Sequence, residues 1–259
     1  MRRPLLVATL ALAAALPAAP ADAAVTSTRS AKKVAKAIVA KRGILRRARF
    51  VKLPGEGRPV AVSTSRLAGF PRHRRSFAVL STGDATLIDD ADEQDDLSTD
   101  NAGAPYRGAA VDAVVLRLDL RAPRRANCLS FAFRFLSEEY DEFVDTEFND
   151  AFVAEVGRST WRSDPGDPRI RAPRNFARDR RRLPISVNGT GDFSVTPAGA
   201  SGTTYDGATR TLRARKRVKP GRKVRLTLSI FDQGDHQYDS SVVIDRLTID
   251  RRARCRTGR

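Results

Sequence analysis

Phe131, Phe133 and Phe135 occupy alternate positions, with Ala132 and Arg134 between them, and a period of two is met by a strand that turns one face to an apolar core. A helix would scatter the same three rings around its circumference. The pattern recurs: Val224, Leu226, Leu228 and Ile230 alternate with Arg225, Thr227 and Ser229, and Val114, Leu116, Leu118 and Leu120 alternate along 113–120. With 76–80, 128–135, 151–156, 185–187 and 242–249, these segments predict strands, and Asn188-Gly189, Asp206-Gly207 and Pro220-Gly221 supply turn signals. Many strands with little helix between them predict an all-β chain, a β-sandwich of the jelly-roll kind.

One short N-terminal helix is expected over 30–41. Ala31, Val34, Ala35 and Ile38 recur at helical spacing, Lys32, Lys33 and Lys36 fall on the other side, and Gly43 can close the C-terminus. Such a basic amphipathic segment either covers an edge or face of the sheet or lies on anionic lipid; an apolar stripe made largely of alanine favours the first. The resulting division is a basic helical lead-in over 24–75, a sandwich core over 76–250 and a basic tail over 251–259.

The first 23 residues read as a signal peptide. Arg2 and Arg3 precede an uninterrupted small and aliphatic run over 5–16, Pro17 and Pro20 break it, and Ala21-Asp22-Ala23 has the small-x-small form of a cleavage site. A run of that length is shorter than the roughly 20 residues needed to span a bilayer, so an exported, soluble domain is expected. In an oxidising compartment Cys128 and Cys255 are either bridged or two free thiols, and sequence leaves both open.

The formal charge of +17 is segregated. Residues 29–75 hold 15 basic side chains against the single acid Glu56, residues 84–100 hold eight acids and no base, and 158–182 is again rich in arginine. Nucleic-acid modules interleave basic residues with aromatics on a recognisable motif, and none is present. For an exported chain the expected partner is an anionic cell-wall polymer or acidic polysaccharide, drawn by a long-range field that salt screens.

Carboxylates gather where predicted strands end. Ser137-Glu138-Glu139-Tyr140-Asp141-Glu142-Phe143-Val144 and then Phe148-Asn149-Asp150 follow one strand; Asp232-Gln233-Gly234-Asp235-His236-Gln237-Tyr238-Asp239-Ser240 follows another. Loops at a sandwich end are where binding sites are built. The string 129–144 with Phe148-Asn149-Asp150, together with Leu80-Ser81-Thr82-Gly83-Asp84, Thr204-Tyr205-Asp206-Gly207-Ala208-Thr209 and the 232–242 segment, resembles the choice-of-anchor L domain. The resemblance runs from about residue 30 to 250, nearly the whole mature chain. It implies an extracellular β-rich module of a bacterial surface or secreted protein, without an assigned activity. Residues 251–259 carry no LPxTG-type motif or hydrophobic tail, so release, or retention at the wall by charge, is expected rather than covalent anchoring.

Three functional readings follow. The leading one is a non-enzymatic module for extracellular interaction or adhesion. A structural Ca²⁺ is expected to draw ligands from Glu138, Glu139, Asp150, Asp232, Asp235 and Asp239, because clustered carboxylates repel one another and a hard cation takes 6–8 oxygens. The alternative to the cation is carboxylates that cap backbone amides and pair with arginines. The second reading is a carbohydrate-binding module using Trp161, Tyr106 and Tyr205. The third, a glycoside hydrolase with Glu138 and Glu139 as acid and base, is the remotest, since neighbouring strand residues point to opposite faces and no nucleophile constellation is present.

Overall fold

The computed structural model describes residues 25–257 apart from 42, 65, 68–69, 71–72, 74–75 and 91–97. The expected signal peptide and the middle of the acidic run lie outside the described residues.

Two antiparallel sheets form a sandwich. In the larger, β1 (Val25–Ser27), β3 (Val60–Ser63), β4 (Phe77–Ser81), β13 (Ser240–Asp250), β6 (Cys128–Ser137), β10 (Gly207–Thr209) and β9 (Val195–Thr196) follow in that spatial order, and β11 (Leu212–Arg217) also pairs with β6. The smaller has the order β2 (Leu45–Lys52), β5 (Ala110–Arg121), β12 (Lys223–Gln233), β7 (Ala151–Val156) and β8 (Ile185–Ser186). β6 and β12 each lie between two partners and are the strands with the clearest alternation in sequence.

That alternation sets three layers of packing. Phe131, Phe133 and Phe135 of β6 meet Leu226, Leu228 and Ile230 of β12, with Phe152 and Ala154 of β7, in the core between the sheets. Each fully buried side chain of this size contributes about 1.5–3 kcal/mol. The even residues of β6, Ala132 and Leu136, face the other way into a second cluster with Phe70, Phe77, Val79, Ile88, Tyr205 and Val243. On the far side of the small sheet, Ala113, Val115, Val153 and Phe231 pack against Trp161. Both outer faces are therefore partly covered by long connections, which is why β6 is buried at every position.

The helix α1 (Ala31–Ile38) starts at Ser30, whose side chain accepts a hydrogen bond from the Lys33 amide. It contacts β2 of the small sheet and β3, β4 and β13 of the large one, and Val34, Ala35 and Ile38 enter the common core. Its apolar face is spent inside the sandwich, so the lipid-surface alternative falls away. The segment 24–75 is also more than a helical lead-in, because β1, β2 and β3 are integral to the two sheets. In β2 exposed Arg46, Arg47 and Arg49 conceal the alternation, while Leu45, Ala48 and Phe50 are half-buried against the core; β1 and β3 are only three and four residues long.

Two further helices, α2 (Val187–Ser194) and α3 (Pro197–Ala200), bracket β9. Asn188-Gly189 is accordingly the first turn of α2, capped by the Ser186 hydroxyl accepting from the Gly189 amide at 2.9 Å, and not a hairpin turn.

Candidate functional site

The parity that fills the core also decides which acidic side chains meet. Core-facing residues of β6 are odd-numbered, and Glu139 continues Phe131, Phe133, Phe135 and Ser137. Core-facing residues of β12 are even, and Asp232 continues Leu226, Leu228 and Ile230 past a bulge between Ile230 and Asp232. Asp150 precedes Phe152 and Ala154 on β7. At the sandwich end these three series converge, and one carboxylate oxygen from each of Glu139, Asp150 and Asp232 lies within 4.8 Å of the others. The three residues are 1%, 0% and 1% exposed.

Few donors serve this cluster. The Asp150 amide donates to Glu139 Oε2 at 3.0 Å, and the Gln233 amide donates to Asp150 Oδ1 at 3.2 Å. Asp150 Oδ2 and both oxygens of Asp232 are buried without a hydrogen-bond partner. Burial, and then the charges of the neighbouring carboxylates, push Glu139 and Asp232 well above the ordinary carboxylate range; burial does the same for Asp150, against opposing hydrogen bonds.

The other expected ligands are placed differently. Even-numbered Glu138 is buried beside Tyr205; burial, then the charge of Asp239 and last that of Glu138, push the Tyr205 phenol above its ordinary range. Asp239 lies on the same outer side: its carboxylate accepts from the Thr99 amide at 2.8 Å and fills the space where a Cβ on Gly83 would be. Burial raises it to about 7, against the opposing hydrogen bond from Thr99. Asp235 is half-buried at the rim and adds its charge to Glu139 and Asp232. The loops converge across the sandwich rather than side by side, since β6 and β12 belong to opposite sheets and are not neighbours in one.

Cys128 and Cys255 form a disulfide with their Cα atoms 5.6 Å apart. It ties the start of β6 to the C-terminal segment, which Thr257 fastens further through hydrogen bonds to Phe176 O and Arg215 O, each 3.0 Å. This brings three basic stretches together. One depression of about 690 Å³ is lined by Arg215, Arg217, Arg254 and Arg256. A second, of about 520 Å³, adjoins it through the shared Arg215 and Arg256 and adds Arg178, Arg180, Arg182 and Lys216. Among the described residues no carboxylate lines either one. Beside them, burial and the charges of Arg215, Arg246 and Arg252 lower the pKa of Arg213.

Sequence reasoning missed this groove because its parts come from three distant segments, each reading as solvated arginine. A second grouping has no counterpart in the sequence patterns: His236 Nδ1 lies 2.5 Å from Asp112 Oδ2 and 3.2 Å from Asp100 Oδ1. A histidine between two acids distant in sequence leaves no local signal.

A family model described as the choice-of-anchor L domain matches residues 59–249. The chain belongs to that family. Membership makes this choice-of-anchor L domain a surface or secreted protein, and among its described residues no helix is long and apolar enough to cross a membrane. No curated protein matches it. Among solved structures, TmCBM61 in complex with beta-1,4-galactotriose is similar at 9% identity and a TM-score of 0.30, over 80% of this chain and 88% of that one, a likeness too slight to carry an argument.

Proposed function

We propose that this domain is a non-enzymatic extracellular module that holds an anionic surface polymer in the groove between β11, the disulfide-tied C-terminal segment and residues 175–182. The observation that supports this reading is a run of arginines lining two adjoining depressions with no carboxylate among the described residues of the lining. Among the described residues Arg178, Arg180, Arg182, Arg217 and Arg256 form no ion pair, although acids elsewhere do pair with arginine, as Asp84 with Arg58 and Asp119 with Arg117. A basic depression at the end of β5 and β12 contains its own counter-charge in Asp119. Unneutralised cations in a concave site attract a polyanion and lose it as salt shortens the Debye length from about 10 Å at 0.1 M to about 3 Å at 1 M.

Two features weigh against the hydrolase and the carbohydrate-binding readings. Glu138 and Glu139 are 2% and 1% exposed, so neither can reach a glycosidic bond, and they face opposite sides of β6. The aromatic platform suggested for a sugar ring is also missing: Trp161 is buried, stacked on Phe231 at 4.0 Å with its Nε1 donating to Ser229 Oγ, and Tyr205 is buried too. Only Tyr106 is half-exposed, and it sits beneath Arg107 and Lys52.

The test is retention on isolated cell-wall sacculi carrying anionic polymer, against sacculi stripped of it. The mature protein should bind the first at about 50 mM salt and elute by roughly 0.5–1 M, with little retention on the second. Equal retention on both, or binding indifferent to salt, would overturn the reading.

A further inference from the structure

We infer that Glu139, Asp150 and Asp232 form a site for one divalent cation, Ca²⁺ by its chemistry, that fastens the two sheets together at one end of the sandwich. This is independent of the arginine groove, which shares no residue with it.

Acidic clusters are common without a metal, so the inference turns on Asp232. Its side chain is 1% exposed, it points into the cluster, and neither oxygen has a hydrogen-bond partner, while Asp150 Oδ2 beside it is in the same position. Buried carboxylate oxygens are otherwise met by donors, because losing water without replacement is costly. No arginine, lysine or histidine forms an ion pair with any of the three among the described residues, in a chain with 47 lysines and arginines. Among the described residues, none supplies the positive charge that this site lacks.

Geometry and donor type select the ion. Two oxygens on one Ca²⁺, each at about 2.3–2.6 Å, are at most roughly 4.6–5.2 Å apart, and one oxygen from each of the three carboxylates lies within 4.8 Å of the others. The donors are all hard oxygens, with neither sulfur nor imidazole, which disfavours zinc. The site is also nearly dry, whereas Mg²⁺ gives up its water reluctantly and demands a tighter octahedral shell. Glu139 stands just beyond β6 of the large sheet, while Asp150 immediately precedes β7 and Asp232 lies in β12 of the small one. An ion at this point therefore bridges the sheets where the core runs out of apolar side chains.

The experiment uses the full mature chain. After treatment with chelator and desalting, calcium binding is followed by equilibrium dialysis and elemental analysis, and thermal unfolding is compared in chelator, CaCl₂ and MgCl₂. One calcium per chain should bind, and at about a hundredfold excess over Kd it should raise Tm by roughly 5–10 °C, with magnesium giving much less. Asp232→Asn should abolish the calcium stoichiometry and the calcium-dependent rise, and should melt higher than the wild type in chelator, because one uncompensated charge is gone. If that variant fails to fold, the wild-type stoichiometry and Tm difference decide alone. No bound calcium, with superimposable melting curves in chelator and millimolar CaCl₂, would overturn the inference and leave a proton shared between Asp150 and Asp232 as the means of relieving their repulsion.

Discussion

Asp245 shows how much one buried side chain can shape the pH response of this domain. It sits on β13 where the pairing with β6 slips between Asp245 and Thr248, and its carboxylate accepts from the backbone amides of His73 and Arg246. Burial raises it from 3.8 to about 6, with those hydrogen bonds and the charge of Arg246 opposing the rise. Below about pH 4 the carboxyl is protonated folded and unfolded alike. Between there and pH 6 the folded chain keeps a proton that the unfolded chain has released, so stability falls as pH rises and then levels off. Urea unfolding from pH 4 to 7 should therefore show the wild type losing stability relative to Asp245→Asn across that window; parallel curves would contradict this. At this scale the sequence was legible only where parity applied. Odd and even positions around β6 separate Glu139, in the cluster, from Glu138, beside Tyr205. Trp161 offered no such signal, because the connection 158–172 has neither a period of two nor of 3.6, and only the stack on Phe231 shows that its ring is core.

At the level of elements, strands with a buried face announced themselves and strands made of charge did not. β4, β5, β6, β7, β12 and β13 each carry aliphatic or aromatic residues at every second position, and they form the middle of both sheets. β11 reads Leu-Arg-Ala-Arg-Lys-Arg, and only Leu212 and Ala214 reach the core. Its place was set by pairing with six residues of β6, a long-range contact that its own composition does not encode. The disulfide extends that logic to the chain's end. Its loop spans 127 residues, and in the chain-entropy account closing a loop of that length stabilises by roughly 4–5 kcal/mol. Reduction should lower stability by about that amount. It should also weaken binding of anionic polymer at temperatures where the chain stays folded, because Cys255 lies in the groove wall. Reduction that leaves both stability and binding unchanged would show that the tail holds its place through its hydrogen bonds, those of Thr257 and those between Arg252 and Asn127.

Across the whole molecule, the proposed function follows the segregation of charge in space more than in sequence. The basic excess at 29–75 is spread thinly: Lys33 and Lys36 line one depression of about 410 Å³, and Arg29 and Arg58, the latter paired with Asp84, line a small one of about 90 Å³. Three other stretches, brought together by β11 pairing and the disulfide, gather eight cations in two adjoining depressions. The acidic residues separate likewise: one set is buried between the sheets, and Asp84 in the 84–100 run is held by Arg58. The central claim is thus that the groove, and not the N-terminal basic segment, takes the anionic partner. The most direct measurement is the Kd for soluble anionic wall polymer at two salt concentrations, in three proteins. These are the wild type, Arg217→Glu with Arg256→Glu in the groove, and Lys32→Glu with Lys33→Glu and Lys36→Glu on the exposed side of α1. Reversing two groove charges should weaken binding on the order of tenfold and flatten its salt dependence, while the helix variant should stay within about threefold of the wild type. Equal weakening in both variants would mean that net charge alone governs binding, and an unchanged Kd in the groove variant would place the site elsewhere.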